Sequence, residues 1–163
     1  MLASIYLLGT ISKMDEGLRK VLDRLETMCS KREYCRKDIL AKALKLVEGD
    51  QSAAGELLDS LVENRYVDDG RYAGAFAREK AQLDGWGPLK IRYALRAKGI
   101  EPALIDDALG TIDSEVSVQR LDKLLQAKAR SLEGDPQKKL KLIKFALSRG
   151  YEYDQVRDYI SLY

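Results

Sequence analysis

Glycine and proline divide this chain into short helical segments, and this punctuation limits its fold more than any other feature of the sequence. In the centre of the chain Gly87-Pro88 opens a segment, Gly99 follows its end and Pro102 begins the next. Proline suits the first turn of a helix, and glycine suits the left-handed position after the last residue. Between these residues the apolar side chains recur at intervals of three and four, and no segment alternates as a strand would. The sequence therefore predicts an all-α protein.

The same arrangement returns 51 residues later in the chain. The segment KGIEPALIDDAL at 98–109 corresponds to RGYEYDQVRDYI at 149–160, and a looser copy spans 31–64. A unit of this size cannot bury its apolar face alone, so such units stack against one another. We predict an elongated, curved array of three tandem three-helix repeats at 13–66, 67–111 and 112–163, preceded by a leader at 1–12 that is flexible or packs on a partner.

Several residues of the central segment are predicted to be architectural. Asp68 or Asp69 can cap the helix that follows them, because a short carboxylate accepts hydrogen bonds from the first turn. Tyr72 and Phe76 stand four residues apart on one helix face, which is typical of core packing. Trp86 lies between two glycines. It either anchors the joint between two helices or stands exposed as an interface hot spot.

Basic residues are concentrated in the middle helix of each predicted repeat. Segments 31–46, 86–100 and 136–150 carry net charges of +4, +4 and +5, although the whole chain carries only +2. The second and third segments contain no acidic residue. Because equivalent helices of a stacked array can lie on one side, these charges are predicted to form an extended basic stripe. Such a stripe suits a long, acidic partner.

The central helix supplies the best candidates for contact with that partner. A rotation of about 100° per residue directs Ile91 and Leu95 toward a core and places Arg92 and Arg96 on a separate face beside Tyr93. Arginine next to an aromatic ring is enriched at protein interfaces and also suits phosphate and base stacking. The alternative is that the two arginines bond to acidic neighbours within the array. The predicted stripe comprises Arg92, Arg96, Lys90, Lys98, Tyr93, Lys138, Lys141 and Lys144, with Arg71 and Arg78 ranked second.

Composition argues against catalysis and against a metal or cofactor. The chain has no histidine, so zinc sites with histidine and Ser-His or Cys-His nucleophiles are excluded. Its two cysteines, Cys29 and Cys35, lie six residues apart and are expected to be reduced thiols in or between helices. No GxxxxGK[ST] loop is present to bind ATP phosphates. Catalysis by carboxylates alone stays open, but no pair of them is marked as special, and we expect the protein not to be an enzyme.

The chain is also expected to be cytoplasmic and monomeric. Its most apolar segment, at 2–8, is far shorter than the roughly 20 residues that a bilayer-spanning helix needs. A signal peptide would have Lys or Arg before its apolar region, and no such residue precedes this segment. The sequence therefore predicts no contact with a membrane.

Segment 67–100 resembles the signature segment of the RecX family. The likeness covers about 31–163 of the chain, whereas the leader through Ser12 has no evident counterpart. Cys35 also departs from the family pattern, since many relatives carry serine there. The residues that carry the likeness are Val67-Asp68-Asp69, Arg71-Tyr72-Ala73, Phe76, Gly85-Trp86-Gly87-Pro88, Ile91, Leu95 and Lys98-Gly99-Ile100.

The resemblance implies three tandem three-helix repeats and a regulator of the RecA recombinase that binds its filament, without catalysis. It also implies a weak contact with ssDNA or dsDNA. The charge pattern alone allows a second function, a helix-turn-helix-like module that binds nucleic acid directly. The two differ in their response to salt, because phosphate contacts weaken steeply as salt rises and need no protein filament.

Overall fold

The protein is described by a computed structural model that covers residues 14–162. Within this range the chain contains helices and no strand, which confirms the all-α prediction. The chain divides into two compact units, one ending at Asp69 and the other beginning at Gly70. The predicted leader at 1–12 lies outside the described residues. The repeat boundaries and the elongated, curved shape stay predictions.

The described part of the first unit contains three helices around one apolar cluster. Leu25 of the first helix, Ile39 of the second, and Leu57 and Leu61 of the third are all fully buried there. The three-and-four spacing of apolar residues explains this arrangement, because it gives each helix one apolar face. These helices are α1 (Glu16–Cys29), α2 (Arg36–Leu46) and α3 (Gln51–Glu63).

Asp69 is a helix cap, but of a different helix from the one that follows it in sequence. Its carboxylate accepts a hydrogen bond from the backbone N–H of Arg36 at 2.8 Å, at the first residue of α2. Cys35 occupies the N-cap position of α2 and makes no side-chain capping bond. The Asp69 carboxylate, 33 residues further along the chain, therefore accepts the hydrogen bond of a backbone N–H that has no partner in the local sequence. Local spacing could not predict this choice of partner.

The second unit holds the remaining helices, and its internal punctuation is as predicted. Pro88 begins one helix and Pro102 begins another. Proline at these positions has no N–H to leave unsatisfied and already has a helical φ. The helices are α4 (Asp69–Gln82), α5 (Pro88–Ala97), α6 (Pro102–Gly110), α7 (Ser114–Ser131), α8 (Lys138–Ser148) and α9 (Tyr153–Ile160).

Helices α5 and α8 end in the same way, in agreement with the 51-residue repeat. Gly99 and Gly150 adopt φ values of 76° and 90°, in the left-handed region that glycine enters without a steric penalty. The residue after each glycine turns back toward its helix: Ile100 N donates to Leu95 O at 3.1 Å, and Tyr151 N donates to the carbonyl of the equivalent residue at 3.3 Å. Both helices thus close with the same capping motif.

The start of α5 and the end of α8 meet backbone to backbone. Gly87 N donates to Arg149 O at 2.6 Å, and Leu89 N donates to Gly150 O at 3.0 Å. A Cβ at Gly87 would lie 2.4 Å from the Gly150 carbonyl oxygen, so no other residue fits without movement. Arg149 also donates from Nη1 to the Asp84 carbonyl at 2.9 Å. This contact joins the second and third predicted repeats.

Candidate partner-binding surface

The outer face of α5 is the most exposed part of the predicted stripe. Ile91 and Leu95 are fully buried, as predicted, so the opposite side of the helix faces solvent. On that side Tyr93 is 78% exposed, Leu89 is half exposed, and Arg96 is exposed. We call these three residues the α5 outer face. It places a large aromatic ring and a guanidinium on one side of a well-anchored helix.

Arg92 does not share this exposure. Its Nη1 lies 2.6 Å from Asp106 Oδ1 of α6, and its side chain is about one-third exposed. The structure therefore separates the two arginines that the sequence placed on one stripe. For Arg92 the alternative of an acidic neighbour within the array is the observed arrangement, whereas Arg96 points to solvent.

Lys90 packs against Trp86, which forms the end of an aromatic row. The Nζ of Lys90 lies 4.4 Å from the centre of the Trp86 ring. That ring contacts Phe76 edge-on at 6.2 Å, and Phe76 stacks with Tyr72 at 5.9 Å. The row links α4 to the start of α5. Trp86 is half-buried in this row. This position favours an anchor at the joint between the two helices over an exposed hot spot, and the role stays a prediction.

A second lysine lies against the same aromatic row. The Nζ of Lys80 is 5.2 Å from the Trp86 ring and 2.6 Å from Asp84 Oδ2. The hydrogen bond to Asp84 raises the pKa of Lys80 above its usual value. This lysine therefore stays charged over the physiological pH range, and it stabilises the turn that leads into α5. Lys80 is not among the residues that the sequence predicts to contact a partner.

Two of the four lysines of α8 form local ion pairs. Lys138 Nζ lies 3.2 Å from Glu133 Oε2, and Lys141 forms an ion pair with Asp135. Both acids precede the helix, in the turn that connects it to α7, just outside the segment counted as acid-free. Lys144 is exposed on the outer side of α8. The strong positive charge predicted for α8 is therefore partly neutralised by its own connecting turn.

The remaining stripe residues lie on α4 and at the end of α5. Arg71 and Arg78 are exposed on α4, and Lys98 is half-buried at the C-cap of α5. Sequence reasoning missed the exposed leucines that accompany the basic residues, namely Leu89 on α5 and Leu140 and Leu147 on α8. The helical rotation used for the arginines could have found them, since Leu89 lies one turn before Tyr93.

The cysteines are structural. Cys29 and Cys35 are both buried and form no disulfide, and burial raises the pKa of each thiol above its usual value. A raised pKa lowers the thiolate fraction and hence the reactivity. In residues 14–162 no group of three or more Cys, Asp or Glu side chains is arranged to hold a metal ion.

Comparison with known proteins assigns the family. Residues 68–109 match the second three-helix domain of RecX, and residues 115–160 match the third. A "Regulatory protein RecX" from Chlorobium phaeobacteroides is 30% identical over 145 residues, a match that covers 88% of this chain and 93% of that protein. The chain belongs to the RecX family.

The RecX likeness extends to proteins of different length. A "Regulatory protein RecX" from Clostridium botulinum is 36% identical over 121 residues, which cover 72% of this chain and 56% of that protein. The chain thus spans little more than half the length of this longer relative. A crystal structure of regulatory protein RecX superposes with a TM-score of 0.78 at 25% identity and covers 96% of this chain and 76% of that one.

A second RecX crystal structure, from Lactobacillus salivarius, agrees in fold. It superposes with a TM-score of 0.75 at 22% identity and covers 91% of this chain and 97% of that one. The α5 outer face lies within the second RecX domain, and α8 lies within the third. The best candidate contact residues are therefore carried by a matched RecX domain. No helix among the described residues has the length and apolar character needed to span a membrane.

Proposed function

We propose that this chain regulates a RecA recombinase in the cytoplasm by binding the RecA nucleoprotein filament and limiting its assembly or activity. This function belongs to DNA recombination, DNA repair and the SOS response. Membership of the RecX family supports it, because the relatives carry the name regulatory protein. The single observation that carries the contact is the α5 outer face, where Tyr93 is 78% exposed.

The chemistry of this face suits a protein partner. Tyrosine and arginine are enriched among the residues that contribute most to protein interfaces, since each combines a large contact area with specific hydrogen bonds. Leu89 adds apolar area beside Tyr93. The buried side of α5 and the backbone contact at Gly87 hold the helix in place, so little conformational entropy is lost when a partner binds.

Binding at this face can limit the filament in two ways. A regulator that binds one filament state more tightly than another shifts the equilibrium between them, in proportion to its difference in affinity. A regulator that covers the growing end stops extension at low stoichiometry. Both mechanisms use the same contact residues, and they differ in how many regulators are needed per filament.

The second candidate function, direct binding to nucleic acid, is favoured by the pairing of Arg96 with Tyr93. Such a pair can contact a phosphate and stack on a base. The ion pairs of Arg92, Lys138 and Lys141 count against it, because these cations already have acidic partners within the chain. We therefore assign DNA a weak, secondary contact.

The proposal is tested by the ssDNA-stimulated ATPase activity of RecA during titration with this protein. DNA is kept in large excess so that competition for strands cannot lower the rate. Inhibition at well below one molecule per RecA protomer is the expected result. An unchanged ATPase rate, together with salt-sensitive binding to bare DNA in the absence of RecA, would contradict the proposal and favour the DNA-binding function.

A further inference from the structure

The second unit contains a groove that the basic surface does not use. It has a volume of about 380 Å³ and lies among the end of α4, the helices α5 and α7, and α9. Its floor is apolar: Leu109 and Ile112 are partly exposed there, and the buried Ile91 and Leu121 lie beneath them. Val118 borders the groove and is 42% exposed, so part of this apolar lining is open to solvent. A groove of this size can accept a few apolar side chains.

The rim of the groove is acidic. Asp154 and Asp158 line it from α9, four residues apart and therefore on one side of that helix. Both are exposed, and Asp158 forms an ion pair with its neighbour Arg157, which is itself exposed. No Lys or Arg is among the described residues that line the groove. The rim is thus opposite in charge to the helices α5 and α8.

We propose that this groove binds an amphipathic helix of a protein partner, with apolar side chains on the floor and Lys or Arg residues paired to Asp154 and Asp158. An apolar centre inside a charged rim is the usual anatomy of a site for such a helix. The charge excludes nucleic acid as the occupant, because the two carboxylates repel phosphate. A small-molecule site places a few polar groups inside an apolar pocket, whereas the polar groups of this groove are exposed at its rim. The groove therefore suits a helix better than a small molecule.

The groove and the α5 outer face lie on opposite sides of α5. Pro88 and Ile91 border the groove, whereas Tyr93 and Arg96 face away from it. One molecule can therefore hold a basic helix in the groove while its α5 outer face contacts another partner. The inference stands independently of the proposed regulation of RecA, because it uses no residue of that face.

The experiment measures fluorescence anisotropy of a labelled amphipathic peptide of leucine and lysine with the full chain. A peptide of leucine and glutamate, with the same apolar pattern, serves as the matched ligand control. The lysine peptide is expected to bind and the glutamate peptide is not. The double variant Asp154→Asn with Asp158→Asn is expected to bind the lysine peptide about tenfold more weakly, since each exposed charge pair contributes modestly to affinity.

A change on the floor separates a groove site from general electrostatic attraction. Val118→Asp adds negative charge, which would strengthen a general attraction for the lysine peptide, but it removes apolar contact within the groove. It is expected to abolish binding. Val116→Asp is the matched control, because Val116 is 40% exposed on the same helix and does not line the groove. It should leave the affinity within about twofold. At the rim, the matched control for Asp158→Asn is Asp107→Asn on α6, because Asp107 and Asp158 occupy equivalent positions of the repeat.

Four results would overturn the inference. Equal binding of both peptides, or equal losses for Val118→Asp and Val116→Asp, would mean that the groove is not the site. Self-association of the chain that Val118→Asp abolishes, measured by sedimentation velocity, would make a second copy the occupant. A more than tenfold gain in peptide affinity after removal of residues 1–12 would make the chain's own leader the occupant. Circular dichroism of each variant verifies that it remains folded.

Discussion

Helices α5 and α8 occupy equivalent positions in successive repeats, but their charged residues serve different purposes. Both bury their inward residues completely, including Ile91 on α5 and Leu142 on α8. On the outer side α5 presents Tyr93 and Arg96, whereas α8 presents lysine and leucine at the same two positions. Lys138 and Lys141 of α8 are paired with acids of the preceding turn.

The difference shows that two helices of similar net charge can present different side chains to solvent. A basic helix binds a partner best when its cations are exposed and its anchor residues are rigid. Helix α5 has an exposed arginine beside an exposed tyrosine, at Arg96 and Tyr93, whereas the exposed Lys139 and Lys144 of α8 are lysines and its Arg149 caps a carbonyl at the joint between the repeats. We infer that α5 makes the principal contact and that α8 supports its position.

The largest expected effect comes from the buried side of α5. Leu95→Ala should lower the free energy of unfolding by about 2–5 kcal/mol, because it leaves a cavity beneath a fully buried side chain. Helix α8 already has alanine at the equivalent position, Ala146, so the repeat itself tolerates the smaller residue there. Urea denaturation measures the change. A cost below about 1 kcal/mol would show that α5 does not depend on this contact.

The next effect tests the joint at the end of α8. Gly150→Ala should be destabilising both because its φ is 90° and because a Cβ would lie 2.5 Å from the Lys90 backbone nitrogen. Gly134→Ala is the matched control in the same unit, since Gly134 has a φ of 77° and nothing lies near its Cβ. The variant at Gly150 should cost about 1–3 kcal/mol more than the control. Equal melting temperatures for the two variants would contradict the backbone contact.

A smaller effect is expected for the ion pair that only α5 has. The residues equivalent to Arg92 and Asp106 in the third repeat are Ile143 and Arg157, so no such pair exists there. Because both groups are partly exposed, a double-mutant cycle with Arg92→Gln and Asp106→Asn should give a coupling of about 0.2–1 kcal/mol. Asp106→Asn should leave regulation of RecA unchanged. Loss of regulation would place the pair itself in the contact.

The smallest effect concerns the turn before α8. The hydrogen bond from Lys141, aided by a backbone bond from Gln137, holds the pKa of Asp135 below its usual value. Because the pKa is lowered in the folded state, the pairing stabilises the fold at pH values above the carboxyl's ordinary pKa. This stability is lost as the pH falls through the lowered pKa. NMR titration of the Asp135 carboxyl should show the lowered pKa, and Lys141→Met should raise it. An unchanged pKa in that variant would exclude the pairing in solution.

The sequence predicted the features that depend on neighbouring residues. The helix starts at Pro88 and Pro102, the turn at Gly99 and the buried side of α5 follow from local sterics and from helical spacing, and the structure has all of them. The exposure of Tyr93 follows from the same rotation. Such features need no knowledge of the rest of the chain.

The features that depend on distant contacts were not predictable in this way. The sequence gives no indication that Asp69 caps α2 or that Arg149 reaches the Asp84 carbonyl, since these partners lie 33 and 65 residues apart. An acidic neighbour for Arg92 is one of the two alternatives that the sequence allows, and only the packing of α5 against α6 selects Asp106. The groove beside α9 likewise arises only from packing between repeats.

The α5 outer face is the proposed contact with RecA, and one measurement tests this role most directly. RecA ATPase inhibition is compared for the unmodified chain, the variant Tyr93→Ala with Arg96→Glu, and the α8 counterpart Lys144→Glu with Leu147→Ala. All substituted residues are exposed, so each variant should keep its helix content and melting temperature. The α5 variant is expected to lose inhibition, and the α8 variant to retain most of it. Full inhibition by a folded α5 variant would contradict the account.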